Sequence, residues 1–149
     1  MSLPPLPKSA IVIGATAADW RAAVTLAGDA LASSGMARPG YSGEMIRMIE
    51  EHGPYVVIAP GLALAHARPG PDVIADGLSV VTLAEPVSFG HPYNDPVRVV
   101  LALAMATPGE HLAAVAAVAN VFNDSDAITE LAGATSAEEV QRIMNPQNS

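Results

Sequence analysis

Two spacings of apolar residues alternate along the chain. Residues 10–15 (AIVIGA), 55–59 (YVVIA), 78–83 (LSVVTL) and 97–105 (VRVVLALAM) are short, apolar, mostly β-rich runs, and each predicts a buried strand. A fifth extended piece is predicted at 62–65, with His66 carried on a loop beside it. Within 17–33, Trp20, Val24, Ala27 and Leu31 recur at helical spacing and predict one buried helix face. A second helix is predicted over 41–52, with Met45, Met48 and Ile49 inward and Arg47, Glu50 and Glu51 outward.

Thr107, Pro108 and Glu110 stand as N-cap, N1 and N3 of a capping box, so a helix is expected to open there and run to about Phe122. Its expected apolar stripe is Leu112, Val115, Ala119 and Phe122. Short helices over 126–131 and 137–144 follow, the last behind Ser136 with Glu139 three residues on. Strands interspersed with helices imply the α/β class, a three-layer sandwich with helices on both faces of one sheet of about five strands. The expected organisation is an extended lead-in over 1–9, a single domain over 10–145 and a short tail over 146–149.

Composition narrows the function. The chain has 149 residues, half of them hydrophobic and only 15% charged, which suits one well-packed core. Aromatics make up 4%, so the core has to be built from Ala, Val, Leu, Ile and Met, with Trp20 and Phe122 as isolated large pieces. A net charge of −8 and the lack of a basic stripe argue against nucleic-acid binding. Without cysteine there is no disulfide, thiolate catalysis or sulfur-ligated metal. No apolar run reaches membrane-spanning length, and MSLPPLPKSA does not read as a signal peptide. The expectation is a cytoplasmic chain with no direct membrane insertion.

The four histidines, His52, His66, His91 and His111, belong to neither HExxH nor HxH, and no metal or other cofactor is expected. GxxxxGK[ST] and GxGxxG are both missing, and GYSGE around Ser42 fails GxSxG by one position, which leaves Ser42 a helix-start residue. His66 follows the small residues Gly61, Ala63 and Ala65, which could leave one face of its ring open. A neutral imidazole there can accept and pass on a phosphoryl group. Spacing alone also suits an ordinary loop histidine with a satisfied hydrogen bond. By the capping argument His111 is at N4 of its helix, where free N–H groups and the helix dipole favour an anion. A polar residue at the helix rim is the plainer alternative. Arg68 could pair with a phosphate or a partner's carboxylate, or be solvated. Asn94-Asp95 before Pro96 reads as a turn initiator, and His91 between Gly90 and Pro92 as a loop residue.

Taken together, GPYVVIAPGLALAHARPGPDV, EPVSFGHPYNDPVRVVLALA and GEHLAAVAAVANVF resemble the enzyme IIA domain of the bacterial phosphoenolpyruvate-dependent sugar phosphotransferase system. The resemblance is to the mannitol/fructose-type superfamily, nearest the ascorbate-type branch, and covers nearly the whole chain. It implies a mixed five-stranded sheet flanked by helices. It implies a phosphotransferase component in which His66 accepts a phosphoryl group from phospho-HPr, on the tele nitrogen, and gives it to a cysteine of an enzyme IIB. That partner in turn serves a membrane enzyme IIC. His111 matches the second histidine, which supports the phosphoryl group. Leu62, Ala63, Leu64 and Ala65 are expected to form an apolar docking apron, with Arg68 and Asn94 as supporting residues. The chain departs from the family at Ala65, where a proline usually precedes the active histidine, and at Met48, where mannitol-type members commonly have arginine. An alternative with the same chemistry is a regulatory module in which phosphorylation of His66 controls binding to a transcription factor or transporter.

Overall fold

The computed structural model describes residues 3–123 and 126–144; the expected tail over 146–149 lies outside them. In chain order the elements are β1 (Ile11–Ala15), α1 (Trp20–Ser33), α2 (Tyr41–His52), β2 (Val57–Ala59), β3 (Leu62–His66), β4 (Gly77–Val87), β5 (Val97–Ala104), α3 (His111–Val121), α4 (Ala127–Ala132) and α5 (Ala137–Met144). Single 3-10 turns at Lys8–Ala10 and Pro108–Glu110 precede β1 and α3. The strands form one mixed sheet in the order β1-β4-β5-β3-β2. β1 runs parallel to β4 and β3 parallel to β5, while β4–β5 and β2–β3 are antiparallel.

Because successive strand residues point to opposite faces, the central strands feed two cores. Ala63, Ala65, Val81, Val100 and Ala102 face one side and pack with Val24, Ala27 and Leu31 of α1 and Met45 and Ile49 of α2. Leu62, Leu64, Val80, Val99, Leu101 and Leu103 face the other side and pack with Ala114 and Val118 of α3, Leu131 of α4, and Val140 and Met144 of α5. This is the expected three-layer sandwich. Near-continuous apolar runs in β3 and β5 follow from burial on both faces. α1 and α2 approach through Gly28, where a β-carbon would overlap the Ser42 hydroxyl and stand 3.1 Å from the Met45 methyl.

Two helices, α1 and α5, start on side-chain caps. Asp19 caps α1 by accepting the Ala22 N–H at 2.9 Å. At α5, Ser136 Oγ accepts the Glu139 N–H at 3.1 Å and the Glu139 carboxylate accepts the Thr135 N–H at 2.9 Å. The capping box expected at Thr107 does not form. The Glu110 N–H bonds the Thr107 carbonyl at 3.1 Å, closing the 3-10 turn, and α3 begins only at His111. His111 is therefore the first residue of α3 and not the fourth.

The face of α3 also differs from the expected stripe: Leu112 is 80% exposed and Ala119 is exposed, whereas Ala114 and Val118 are buried. In HLAAVAAVANV almost every position is apolar, so no polar face marks which side turns inward. β4 extends four residues beyond the predicted Leu83, into an exposed stretch at Ala84–Pro86 before Val87.

Candidate functional site

The position of His66 follows from how β3 is set beside β5. Pro60-Gly61 turns the chain between β2 and β3, and Gly61 takes φ 83°, a left-handed value that its missing side chain allows. The Gly61 N–H bonds the Asn94 carbonyl at 3.0 Å, and the Gly61 carbonyl accepts the Arg98 and Val99 N–H groups at 2.8 and 3.0 Å. That anchor starts a parallel register running from Leu62 opposite Val99 to His66 opposite Leu103. His66 is thus the last residue of β3 rather than part of a loop. Strand alternation puts its ring on the same face as Leu62 and Leu64, toward α3.

There it meets His111, with ring centroids 5.2 Å apart and planes at 50°. On its other flank Tyr55 stands edge-on, at 5.5 Å and 90°, and the Tyr55 hydroxyl donates to the His66 carbonyl at 3.3 Å. Tyr55 itself touches His52 edge-on at 6.4 Å, so four rings form a row along one end of the sheet. His66 Nδ1 lies 2.9 Å from the Leu64 carbonyl oxygen. A carbonyl can only accept, so Nδ1 carries the proton and Nε2 keeps its lone pair. Among the described residues no group hydrogen-bonds that Nε2. The His111 Nδ1 is buried and has no hydrogen-bond partner among the described residues.

Burial lowers the pKa of His66 below the ordinary histidine value of 6.5; the Leu64 carbonyl pulls it partly back and the nearby His111 adds to the lowering. Burial also lowers His111. Both rings are therefore neutral around pH 7. Tyr41, on the other face of the sheet, is buried and reaches the chain beyond His66. Its hydroxyl accepts the Ala67 N–H at 3.1 Å and donates to the Leu103 carbonyl at 2.7 Å. Burial pushes the Tyr41 hydroxyl pKa up to about 12, against a smaller downward effect from Ala67.

The remaining expected residues separate. The apron of Leu62, Ala63, Leu64 and Ala65 is not at the surface, since all four side chains are fully buried in the two cores. A strand covered on both faces leaves no side for a partner. What Leu64 contributes is its carbonyl. Arg68 is exposed two residues beyond His66. It lines, with Met48, Arg47 and Asp72, a groove of about 450 Å³ between α2 and the segment after β3. Asn94 is at the opposite end of β3, beside Gly61, about 16 Å from His66 at ~3.3 Å per residue. Its backbone sets the register and its side chain is not at the site.

His91 Nδ1 accepts the Tyr93 and Asn94 N–H groups at 3.1 and 3.0 Å, which makes it a turn residue. The Asp95 carboxylate accepts Ser88 Oγ and the Phe89, Gly90 and His91 N–H groups; burial would raise its pKa, and those bonds together hold it below the usual carboxylate range. Sequence reasoning missed Tyr55 and Tyr41 as parts of the site. For Tyr55 a signal existed, an aromatic opening the strand expected over 55–59; the strand itself begins at Val57, and Tyr55 lies in the turn just before it. Among the described residues no group of three or more His, Asp or Glu side chains could hold a metal ion, and no helix is long and apolar enough to cross a membrane.

With this geometry in hand, similarity to known proteins places the chain. Over 139 residues it is 33% identical to the ascorbate-specific PTS system EIIA component of Escherichia coli (strain K12), covering 93% of this chain and 90% of that protein. The crystal structure of mannitol IIA from Escherichia coli superposes with a TM-score of 0.83 at 26% identity, covering 94% of this chain and 99% of that one. The complex of mannitol enzyme IIA with phosphorylated enzyme IIB from Escherichia coli matches with a TM-score of 0.84 at 25% identity, covering 95% of this chain and 98% of that one. The family profile of the phosphoenolpyruvate-dependent sugar phosphotransferase system, EIIA 2, matches residues 5–146. The chain belongs to that EIIA family of sugar phosphotransferase components.

Proposed function

We propose that this chain is the phosphoryl carrier of an ascorbate-type phosphotransferase system, loaded on His66 Nε2. The observation that carries the reading is the 2.9 Å bond from His66 Nδ1–H to the Leu64 carbonyl, which leaves Nε2 as the free nucleophile beside His111. The donor is phospho-HPr. The Nε2 lone pair attacks phosphorus in line, the donor's P–N bond breaks, and its electron pair returns to the donor's imidazole. The ring gains positive charge, which the Leu64 carbonyl oxygen on Nδ1–H stabilises. A cysteine thiolate of an enzyme IIB then attacks the same phosphorus, the bond to His66 breaks, and the neutral ring is regenerated. The complex of a related enzyme IIA with its phosphorylated IIB supports that second partner.

His111 supplies the charge stabilisation. Its buried Nδ1 is best left as a lone pair, which puts the ring proton on Nε2, available to a phosphoryl oxygen. The first-turn amides of α3 add their partial positive charge. Tyr55 beside His66, and the 80% exposed Leu112 that follows His111 in α3, offer apolar contact to proteins that exchange on the site. In this role the chain works in the cytoplasm and meets the membrane enzyme IIC only through IIB.

The test is the intact mass after incubation with phosphoenolpyruvate, enzyme I and HPr, for wild type and His66→Ala. One phosphoryl group is gained by the wild type and none by the variant. Labelling retained in His66→Ala would remove His66 from the role.

A further inference from the structure

The bonds around Tyr41 sit one residue beyond His66 and alter the sheet there. In the β3–β5 pairing the Gly61 carbonyl accepts the Val99 N–H, and the register then advances without slip to His66 opposite Leu103. Parallel ladders repeat every two residues. Carried forward, that repeat assigns the Ala67 N–H to the Leu103 carbonyl. The Tyr41 hydroxyl stands between these two groups instead, accepting from the first at 3.1 Å and donating to the second at 2.7 Å. A direct bond would bring nitrogen and oxygen to about 2.9 Å. The hydroxyl thus bridges the last rung of the β3–β5 pairing with two bonds in series where the nucleophile emerges.

Tyr41 can do this because it is fixed from below. It is the first residue of α2, 1% exposed, and its ring is part of the core between α1, α2 and the sheet. A third contact, to the Ala67 carbonyl at 3.4 Å, is the weaker alternative for the same hydroxyl proton. The chain after His66 therefore does not choose its own exit direction. It is set by a side chain that enters from the opposite face of the sheet from the two histidine rings.

We infer that Tyr41 is a positioning residue for the site: its hydroxyl ends the β3–β5 ladder one residue past His66 and thereby holds the imidazole against Leu64, Tyr55 and His111. The inference rests on the carrier reading only for its kinetic consequence. The clamp itself is a statement about hydrogen bonds and can be read without any phosphoryl transfer. Loss of the hydroxyl lets the Ala67 N–H close directly on Leu103, which draws the end of β3 toward β5 and moves the His66 ring. Displacement of a reacting group by about an ångström can slow a positioned reaction on the order of a hundredfold.

The experiment compares wild type, Tyr41→Phe and a control, Ser79→Ala, which removes another buried hydroxyl bond, to the Ala27 carbonyl at 2.8 Å in the α1–sheet packing. Three quantities are measured: the melting temperature, the rate of phosphoryl gain from phospho-HPr by the folded protein, and the solvent exchange of the His66 Nδ1 proton by NMR. Both variants lower the melting temperature. Only Tyr41→Phe slows phosphoryl gain, roughly tenfold to a hundredfold, and only it speeds exchange of the His66 proton. Unchanged transfer and unchanged exchange in a folded Tyr41→Phe would overturn the inference, and so would equal changes in Ser79→Ala. If the wild type accepts no phosphoryl group the carrier reading fails, while the exchange measurement still decides the clamp. Should Tyr41→Phe not fold, NMR of the wild-type Tyr41 hydroxyl proton decides instead: a slowly exchanging hydroxyl proton with a nuclear Overhauser contact to the Ala67 amide supports the clamp, and a fast-exchanging one overturns it.

Discussion

On the proposed carrier reading, replacing His111 with alanine separates the acceptor from the group that assists it. The substitution removes a ring whose centroid is 5.2 Å from that of His66 and whose Nδ1 is buried. A donor aimed at developing charge in a closed site is typically worth a factor of about 10² to 10³ in rate. His111 is only partly covered, so water replaces part of its effect and the loss falls at or below the lower end of that range. The expected loss is about tenfold to a hundredfold in the rate of phosphoryl gain, or about 1.4–2.8 kcal/mol of barrier. Stability changes little, because alanine is a good residue for the first turn and the lost contacts lie at the helix end.

The same change relieves burial of His66 and removes a neighbouring ring that disfavours its charged form. The His66 pKa therefore rises. Since an imidazolium has no lone pair with which to attack, the acid limb of acceptor activity moves to higher pH. Quenched-flow measurement of phosphoryl gain across pH, together with NMR titration of the His66 ring, reads both effects. A full-rate His111→Ala with an unmoved His66 titration would refute the assisting role and leave the ring contact without consequence.

Two further outcomes follow from the same structure. His66 and His111 both have folded pKa values lowered below 6.5, so in that window the unfolded chain binds more protons and stability falls as pH drops. His66→Gln removes one share of this; chemical denaturation at about pH 7.5 and about pH 5 should show a smaller loss than in wild type, and an equal loss would contradict the sign. In α1, Gly28→Ala would ordinarily gain about 1 kcal/mol of helix propensity. Overlap with the Ser42 hydroxyl reverses that to a net cost of about 1–3 kcal/mol, and a raised melting temperature would show that α1 and α2 yield easily.

Much of the architecture was legible because it depends on period. α2 has the predicted bounds, and the Ser136–Glu139 signal opens α5 as expected. What failed depended on information that a period does not carry. Leu62–Ala65 was read as extended, yet surface exposure was expected of side chains that both cores enclose. The signature of a strand buried on both faces is a continuous apolar run, and an exposed apolar apron has the same composition. Thr107 carried a cap signal that a tight backbone turn displaced.

At the site, both histidines were picked out and the structure brings them together, while Asn94 belongs to the far end of the sheet. Tyr41 was legible only as a helix start. Its second role depends on a parallel register between segments some 40 residues apart, which local spacing does not contain.

The hydrogen bond from His66 to Leu64 has a consequence for turnover. It is made within one strand, two residues back, so no arriving protein needs to form it or break it. In the proposed carrier role one nitrogen, flanked by Tyr55 and His111, serves both halves of the exchange. Loading and unloading take place on the same face and in succession, without a complex of three proteins. Flux through such a carrier depends on how fast each visitor leaves, and a surplus of spent donor or unloaded acceptor slows the other by occupying the same ground.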